Sequence, residues 1–281
     1  MKLFIVVPTF ERFEHINNLI KTLEQQIYNN YVLVVIDHGI KKVNKINSSK
    51  IIYLNASSDL WWTGAINFGI RFVLDNNNND NIPILIINDD VIIAKKDYLI
   101  NLMDYWRQNK TSLIGSLCTT ESGKVIYCNM IYNFRKAKLN YHYKDSNISD
   151  LKSDFFDSDV LKGRGTLISS SVFRKIGLFN EEYLPHYKAD HEFTFRASKN
   201  GFNLVVLKKA LLYSDLNSPH EFDVKNKFYS IWNILFGIRS VNNFKDLFFY
   251  SFICFSPIYA FYYFILNSSK ILLINLKKFL T

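Results

Sequence analysis

The run Ile82-Pro83-Ile84-Leu85-Ile86-Ile87 has no side chain suited to water, and it stops abruptly at Asn88-Asp89-Asp90. An unbroken apolar stretch of this kind suits a strand buried on both faces, as in a parallel sheet between helices. Two adjacent carboxylates at the carboxyl end of such a strand are costly unless positive charge faces them. A hard divalent cation bridging to a diphosphate answers that need, because Mg²⁺ takes one or two protein carboxylates plus phosphate oxygens. The alternative is that Asp89 and Asp90 open the next loop or cap a helix, a common use of Asp.

The same pattern recurs upstream. Leu3-Phe4-Ile5-Val6-Val7 predicts a first strand, broken by Pro8. Ile16, Leu19, Ile20, Leu23 and Ile27 then recur at helical spacing. Tyr31-Val32-Leu33-Val34-Val35-Ile36 predicts a second strand ending in Asp37, and Ile51-Ile52-Tyr53-Leu54 a third ending in Asn55. A helix is predicted over 64–74. Strands alternating with helices predict an open parallel sheet, which gathers ligand groups at its strand carboxyl ends. Pro8, Thr9, Asp37, Asn55 and Asp90 all fall on that edge.

Beyond Asp97 the pattern loosens. Strands are predicted at 113–117 and 124–128, a polar and mobile loop over 145–159, and a short helix over 169–176 after Gly163-Arg164-Gly165-Thr166. A further helix is predicted from Asp190 to Lys199, closed by Asn200-Gly201.

A chain of 281 residues, 48% hydrophobic, buries one large core, or one core with an appendage. The charge of +9 permits attraction to anionic lipid or nucleotide phosphate. No basic run interleaved with aromatics points to a nucleic-acid surface, so no nucleic-acid partner is expected. The three cysteines, Cys118, Cys128 and Cys254, are too few and scattered for a disulfide framework or zinc site, so reduced thiols are expected. Met1 to Val7 is too short for a secretory signal, which puts the expected chemistry on the cytoplasmic side.

The chain changes character near its end. No charged side chain occurs from Leu247 to Ser269, and Lys245, Asp246, Lys270, Lys277 and Lys278 flank that stretch. It is long enough to span a membrane, which takes ~20 apolar residues. Ser251, Ser256, Pro257, Tyr259, Tyr262 and Tyr263 dilute it, and basic flanks favour an interfacial helix on anionic lipid. Packing on the rest of the chain, or on a second subunit in a homo-oligomer, remains open at this level.

Taken together and in order, these residues resemble a family. Pro8-Thr9-Phe10-Glu11-Arg12, Asp37, Asn55, Trp61-Trp62-Thr63-Gly64-Ala65-Ile66-Asn67-Phe68-Gly69-Ile70, Asn88-Asp89-Asp90 and Pro185-His186-Tyr187-Lys188-Ala189-Asp190-His191-Glu192-Phe193 resemble family 2 glycosyltransferases of the GT-A fold. The likeness covers about 1–215 and is strongest to bacterial, rhamnosyltransferase-like members that build surface polysaccharides. It implies an α/β, Rossmann-like, mostly parallel sheet flanked by helices. A catalytic domain over 1–222 would divide into a nucleotide-binding half to about 110 and an acceptor half, and 223–281 would be a helical, membrane-associating extension.

The resemblance also assigns roles. Pro8, Thr9, Arg12, Asp37 and Asn55 would surround a nucleotide-sugar donor, a UDP- or dTDP-sugar. Trp62, Gly64 and Asn67 would line its pocket, and Asn88, Asp89 and Arg164 would face its diphosphate. The motif position usually held by a first Asp is Asn88, so Asp90 becomes the main ligand of a Mg²⁺ or Mn²⁺ ion, helped by Asp89. Asp190 matches the catalytic base, with Glu192 orienting the acceptor or Asp190, and Arg196 holding the site together. The metal-binding His that some relatives carry after the base has no counterpart here, so either Asp215 or His220 would substitute or the metal would lack that ligand. The expected activity is inverting transfer to a hydroxyl of a glycan or lipid-linked glycan, by a protein peripheral on the inner face of the cell membrane. The competing reading is a non-catalytic sugar-nucleotide or glycan-binding scaffold of the same fold, supported by Asn88 and Ala189. A nucleotidyltransferase would need a basic triphosphate cradle that Arg12 alone does not supply.

Overall fold

The computed structural model describes residues 1–77, 79, 81–214 and 227–280. The amino-terminal half comprises β1 (Leu3–Thr9), α1 (Phe13–Glu24), β2 (Tyr31–Asp37), β3 (Ile51–Asn55), α2 (Trp61–Asp75) and β4 (Pro83–Ile86). Every residue of β1, β2 and β4 is buried, as their unbroken apolar sequences require. β1 lies between β2 and β4, β3 extends from β2, and all four are parallel. α1 turns Ile16, Leu19, Ile20 and Leu23 onto one face of this sheet, while α2 buries Ile66, Ile70 and Val73 against the other. Gly69 sets how near α2 approaches. A Cβ there would stand 2.6 Å from Ile36 Cδ1 and 2.7 Å from Val6 Cγ1.

The chain continues through β5 (Val91–Ile93), α3 (Tyr98–Gln108), β6 (Ser112–Thr119), β7 (Val125–Tyr127), β8 (Met130–Asn133) and β9 (Lys138–Tyr141). It then forms β10 (Phe155–Asp157), β11 (Thr166–Ser169), α4 (Ser170–Ile176), α5 (Ala189–Lys199) and β12 (Asn203–Ser214). The main sheet runs β10-β12-β6-β11-β4-β1-β2-β3, with β5 beside β12 and β7 beside β6. β11 is antiparallel to both β4 and β6, whereas β12 is parallel to β6. The sheet is therefore parallel from β3 to β4 and mixed beyond. β8 and β9 make a separate hairpin.

Three sequence expectations change. The helix predicted from residue 64 begins at Trp61. The predicted loop 145–159 contains the edge strand β10, where only Phe156 points inward, a pattern too short to register as alternation. The apolar tail is not one helix.

That tail comprises α6 (Lys227–Phe236), α7 (Phe244–Cys254) and α8 (Pro257–Leu280). Pro257 opens α8, where a missing N–H is harmless, and it cannot continue α7. α7 buries Leu247 and Tyr250 in the core that also holds Phe193 and Phe195. The hydroxyls of Tyr132 and Tyr250 are hydrogen-bonded, and the Phe255 ring lies 5.4 Å from Phe195 and 5.6 Å from Tyr132. α8 is fastened to the turn between β8 and β9. Tyr259 Oη donates to the Phe134 carbonyl (2.9 Å), Tyr262 Oη to Arg135 (2.6 Å), Asn267 Nδ2 to Ala137 (3.0 Å) and Lys270 Nζ to Lys136 (3.3 Å). The C-terminal helices thus share a core with the α/β body.

Candidate active site

The carboxyl ends of the parallel strands meet as the alternation predicts: Thr9 stands beside Asp37, and Asp37 beside Asn55. β4 delivers Asn88-Asp89-Asp90 to the same edge. Asp89 is buried; its Oδ2 accepts from Thr9 Oγ1 at 2.8 Å and its Oδ1 faces Arg12 Nη1 at 3.3 Å. Burial pushes the Asp89 carboxyl up, and Arg12 and the Thr9 hydroxyl oppose that rise. Asp90 Oδ2 accepts from Arg164 Nη2 at 2.9 Å and lies 3.7 Å from Arg12 Nη1. Arg164 is itself held, donating from Nη1 to Ser214 Oγ (3.1 Å) while its carbonyl accepts from Tyr127 Oη (3.1 Å).

Asp90 Oδ1 is left buried with no hydrogen-bond partner. A buried, unpartnered carboxylate oxygen is expensive, and a cation on that side would satisfy it. Among the described residues no three or more His, Cys, Asp or Glu side chains cluster as a metal cage. The donor set therefore fits an ion held by one or two carboxylates, with phosphate oxygens supplying the rest. Asn88 takes a different part, its Oδ1 accepting from Trp62 Nε1 at 2.9 Å.

Asp190 sits half-buried at the start of α5. Its Oδ2 accepts from the Gly163 N–H (3.0 Å) and its Oδ1 from the His191 N–H (2.9 Å). Gly163 is required here, because a Cβ would stand 2.5 Å from the Trp62 ring. Burial alone would raise the Asp190 carboxyl. The charges of His191 and Lys162, with the two N–H donors, outweigh burial and hold it below the usual carboxylate range. Adjacent residues thus join the two acidic centres: Gly163 holds Asp190 and Arg164 holds Asp90.

Other predicted residues are engaged within the protein. Asp37, 1% exposed, accepts from the N–H of Gly39 (3.1 Å) and of Val43 (2.7 Å), fixing the loop after β2. Asn67 donates to the Phe179 carbonyl (2.9 Å) and Glu181 Oε2 (2.9 Å) and accepts from the Phe179 N–H (3.1 Å), tying α2 to that segment. At Gly64 an added Cβ would meet Leu60 at 3.1 Å. Glu192, 1% exposed, is turned inward onto Arg196 Nε (2.7 Å) and Nη2 (3.1 Å), and Arg196 also donates to the carbonyls of Ile176 and Leu178. Pro8 is buried in β1, and Asn55 is exposed at the end of β3. Asp215 and His220 lie outside the described residues, as do the side chains of Lys277 and Lys278. Tyr127, Lys162 and Ser214 join the site with no sequence motif to announce them.

A profile described as "Glycosyl transferase family 2" matches residues 4–177. A relative from Haloferax volcanii, the low-salt glycan biosynthesis hexosyltransferase Agl10, is 25% identical over 209 residues. That match covers 72% of this chain and 63% of the relative's length, so the chain spans less than two thirds of it. Among solved structures, GalNAc-T7 with UDP, GalNAc and Mn²⁺ aligns with a TM-score of 0.59 at 11% identity, over 76% of this chain and 44% of that one. A mannosyltransferase of Pyrobaculum calidifontis with GDP-Man and Mn²⁺ aligns at 0.56 and 10% identity, over 95% and 68%. S. aureus TarS residues 1–349 align at 0.53 and 13% identity, over 90% and 65%. At such identities the structural likenesses show a shared GT-A-type fold.

Proposed function

The chain belongs to glycosyl transferase family 2, and from that premise we propose that it is an inverting, cation-dependent glycosyltransferase. It would move a hexosyl or deoxyhexosyl group from a nucleotide-diphosphate sugar to a hydroxyl of a glycan or lipid-linked glycan in surface-polysaccharide synthesis. The observation that carries this reading is the Gly163-Arg164 link, which sets an ionised Asp190 beside the Asp89–Asp90 centre. Asp190 takes the proton of the acceptor hydroxyl, and that oxygen attacks the anomeric carbon as its bond to the diphosphate breaks. Arg12 and Arg164 face the charge growing on the leaving phosphate. A Mg²⁺ or Mn²⁺ ion held by Asp90 and Asp89 would, when bound, stabilise that same charge. One displacement with one base inverts the anomeric centre, whereas a retaining hydrolase needs a second carboxylate as nucleophile. Glu192, paired with Arg196, serves the architecture of α5 in this scheme.

The test is turnover of the purified chain with UDP-, dTDP- and GDP-sugars, with and without Mn²⁺. Release of nucleoside diphosphate that depends on the cation and on an acceptor is expected. Donor binding without release under every condition would leave the scaffold reading standing.

The same proposal places the protein peripherally on the cytoplasmic membrane face. Among the described residues one helical window, Pro257–Asn275, is long and apolar enough to span a bilayer, with mean hydropathy 1.2. The hydrogen bonds from α8 to the β8–β9 turn favour an in-plane orientation, since a helix fastened along one side cannot turn to cross. Ile258, Phe261, Ile265 and Leu273 of α8 are exposed, as are Lys270 on the same helix and Arg135, Lys136 and Lys138 at the β8–β9 turn. An apolar stripe with a basic rim suits anionic lipid. The full chain is expected to sediment with anionic vesicles more than with zwitterionic ones, to release in high salt, and to bind several-fold less as the Phe261→Ser/Ile265→Ser double variant. No vesicle binding, together with a dimer that this variant splits, would instead place a second copy on the stripe.

A further inference from the structure

Arg239 lies in the connection between α6 and α7, and that connection is firmly built. Asn243 is buried; its Nδ2 donates to the carbonyls of Phe236 (3.1 Å) and Gly237 (3.0 Å), while its Oδ1 accepts from the N–H of Lys245 (2.8 Å) and Asp246 (3.2 Å). Lys188 Nζ donates to the Val241 carbonyl at 2.8 Å. Lys188 is the left-handed residue, φ 64°, that opens α5 two places before Asp190. The connection is therefore anchored to the residue two places before the proposed base.

From this position the Arg239 guanidinium carbon lies 5.7 Å from the centre of the Trp61 ring. Trp61 holds φ 51°, an uncommon conformation for a bulky residue, of the kind that gathers at functional sites. Its ring meets His186 edge-on at 5.8 Å, and its neighbour Trp62 carries the bond to Asn88. Burial raises the Tyr187 hydroxyl, and the charges of Arg164, Arg12 and Arg239 each oppose that rise. Arg12 and Arg164 face the Asp89–Asp90 pair. Arg239 is exposed, and among the described residues no carboxylate pairs with it. A guanidinium laid on an indole keeps its N–H edge free, and that edge matches phosphate oxygens two at a time.

We propose that Arg239 is a diphosphate-binding residue, held over Trp61 so that the C-terminal helices complete the site as well as anchoring it. This rests on the nucleotide-sugar transferase reading. Two ligands carry the required chemistry, the diphosphate of the donor and that of a lipid-linked acceptor.

The experiment measures binding of UDP, GDP and farnesyl diphosphate to the full chain and to Arg239→Gln and Arg239→Lys, in Mn²⁺, with uridine as the phosphate-free control. About tenfold weaker binding of UDP and GDP by the Gln variant, with uridine unchanged, assigns the contact to the donor. A loss confined to farnesyl diphosphate assigns it to the acceptor. Should the Gln variant fold poorly, the Lys variant decides, because it keeps the charge and loses the fork, and a several-fold loss is expected. Wild-type affinity for all three diphosphates in a folded variant overturns the proposal alone. A wild-type protein that binds none of them overturns the transferase reading, and Arg239 with it.

Discussion

Asp190→Asn should lower turnover by at least ~10²-fold while leaving donor affinity near that of the unaltered chain. The amide keeps the size of the carboxylate and an oxygen to accept from Gly163 or His191, so the α5 start and the Gly163-Arg164 link survive. It cannot take a proton, which is the function assigned to Asp190. The pH dependence gives a second reading. Because the carboxyl is held below its usual range, it is ionised throughout the neutral region, and the acid limb of turnover should fall at or below the ordinary Asp range. The same depression makes Asp190 stabilising above its unfolded pKa, a contribution lost as pH falls through the lowered folded value. In the Asn variant the residual rate should lose that acid limb. Near-normal turnover would move the base elsewhere, and Glu192 is a poor heir. Sealed against Arg196, Glu192 should show its substitution as lost stability before lost chemistry.

What could be read from the chain alone follows from how local each signal is. β1, β2 and β4 are unbroken apolar runs between polar ends, so the strands, their burial and the residues at their carboxyl edge were all legible. Asp90 stood out because a carboxylate beside an apolar strand calls for a reason, whereas Asp190 stood out through the motif in which it resembles the family. The roles of Asn67 and Glu192 were illegible. The partners of Asn67, Phe179 and Glu181, lie 112 and 114 positions away, and Glu192 meets Arg196 only four positions on, but whether such a helix residue faces a cleft or a neighbour depends on packing. β12 went unannounced because Lys208 and Lys209 interrupt its apolar pattern, although neighbouring strands bury most of its length. Arg239 had no signal either, because only the fold brings the α6–α7 connection over Trp61. The tail shows the limit of composition most plainly. Its apolar residues with basic flanks favoured lipid over packing on protein, and composition gave no sign of the hydroxyl and amide groups that fasten α8 to 134–137.

Asp90→Ala should abolish measurable turnover, and EDTA should inhibit the unaltered protein. The two results have to be read together, because Asp90 serves two partners. Its Oδ2 neutralises Arg164, whereas its buried Oδ1 is the atom left open to a cation. Removing the carboxylate also strands a half-buried guanidinium, so Asp90→Asn is the better companion, keeping an oxygen within reach of Arg164 while discarding the charge. If the cation acts here, Mn²⁺ with UDP or GDP should raise the melting temperature of the unaltered chain and fail to do so in either variant. Turnover should fall by at least ~10²-fold in both, the scale of losing one preorganised charge from a developing leaving group. Asp89→Asn should cost less, because Thr9 and Arg12 already engage both of its oxygens. Two outcomes would count against this account. Full activity in Asp90→Ala would remove the residue from the chemistry. An EDTA-insensitive wild type whose Asp90→Asn variant is still inactive would leave Asp90 as the holder of Arg164, with the arginines alone meeting the charge of the leaving diphosphate.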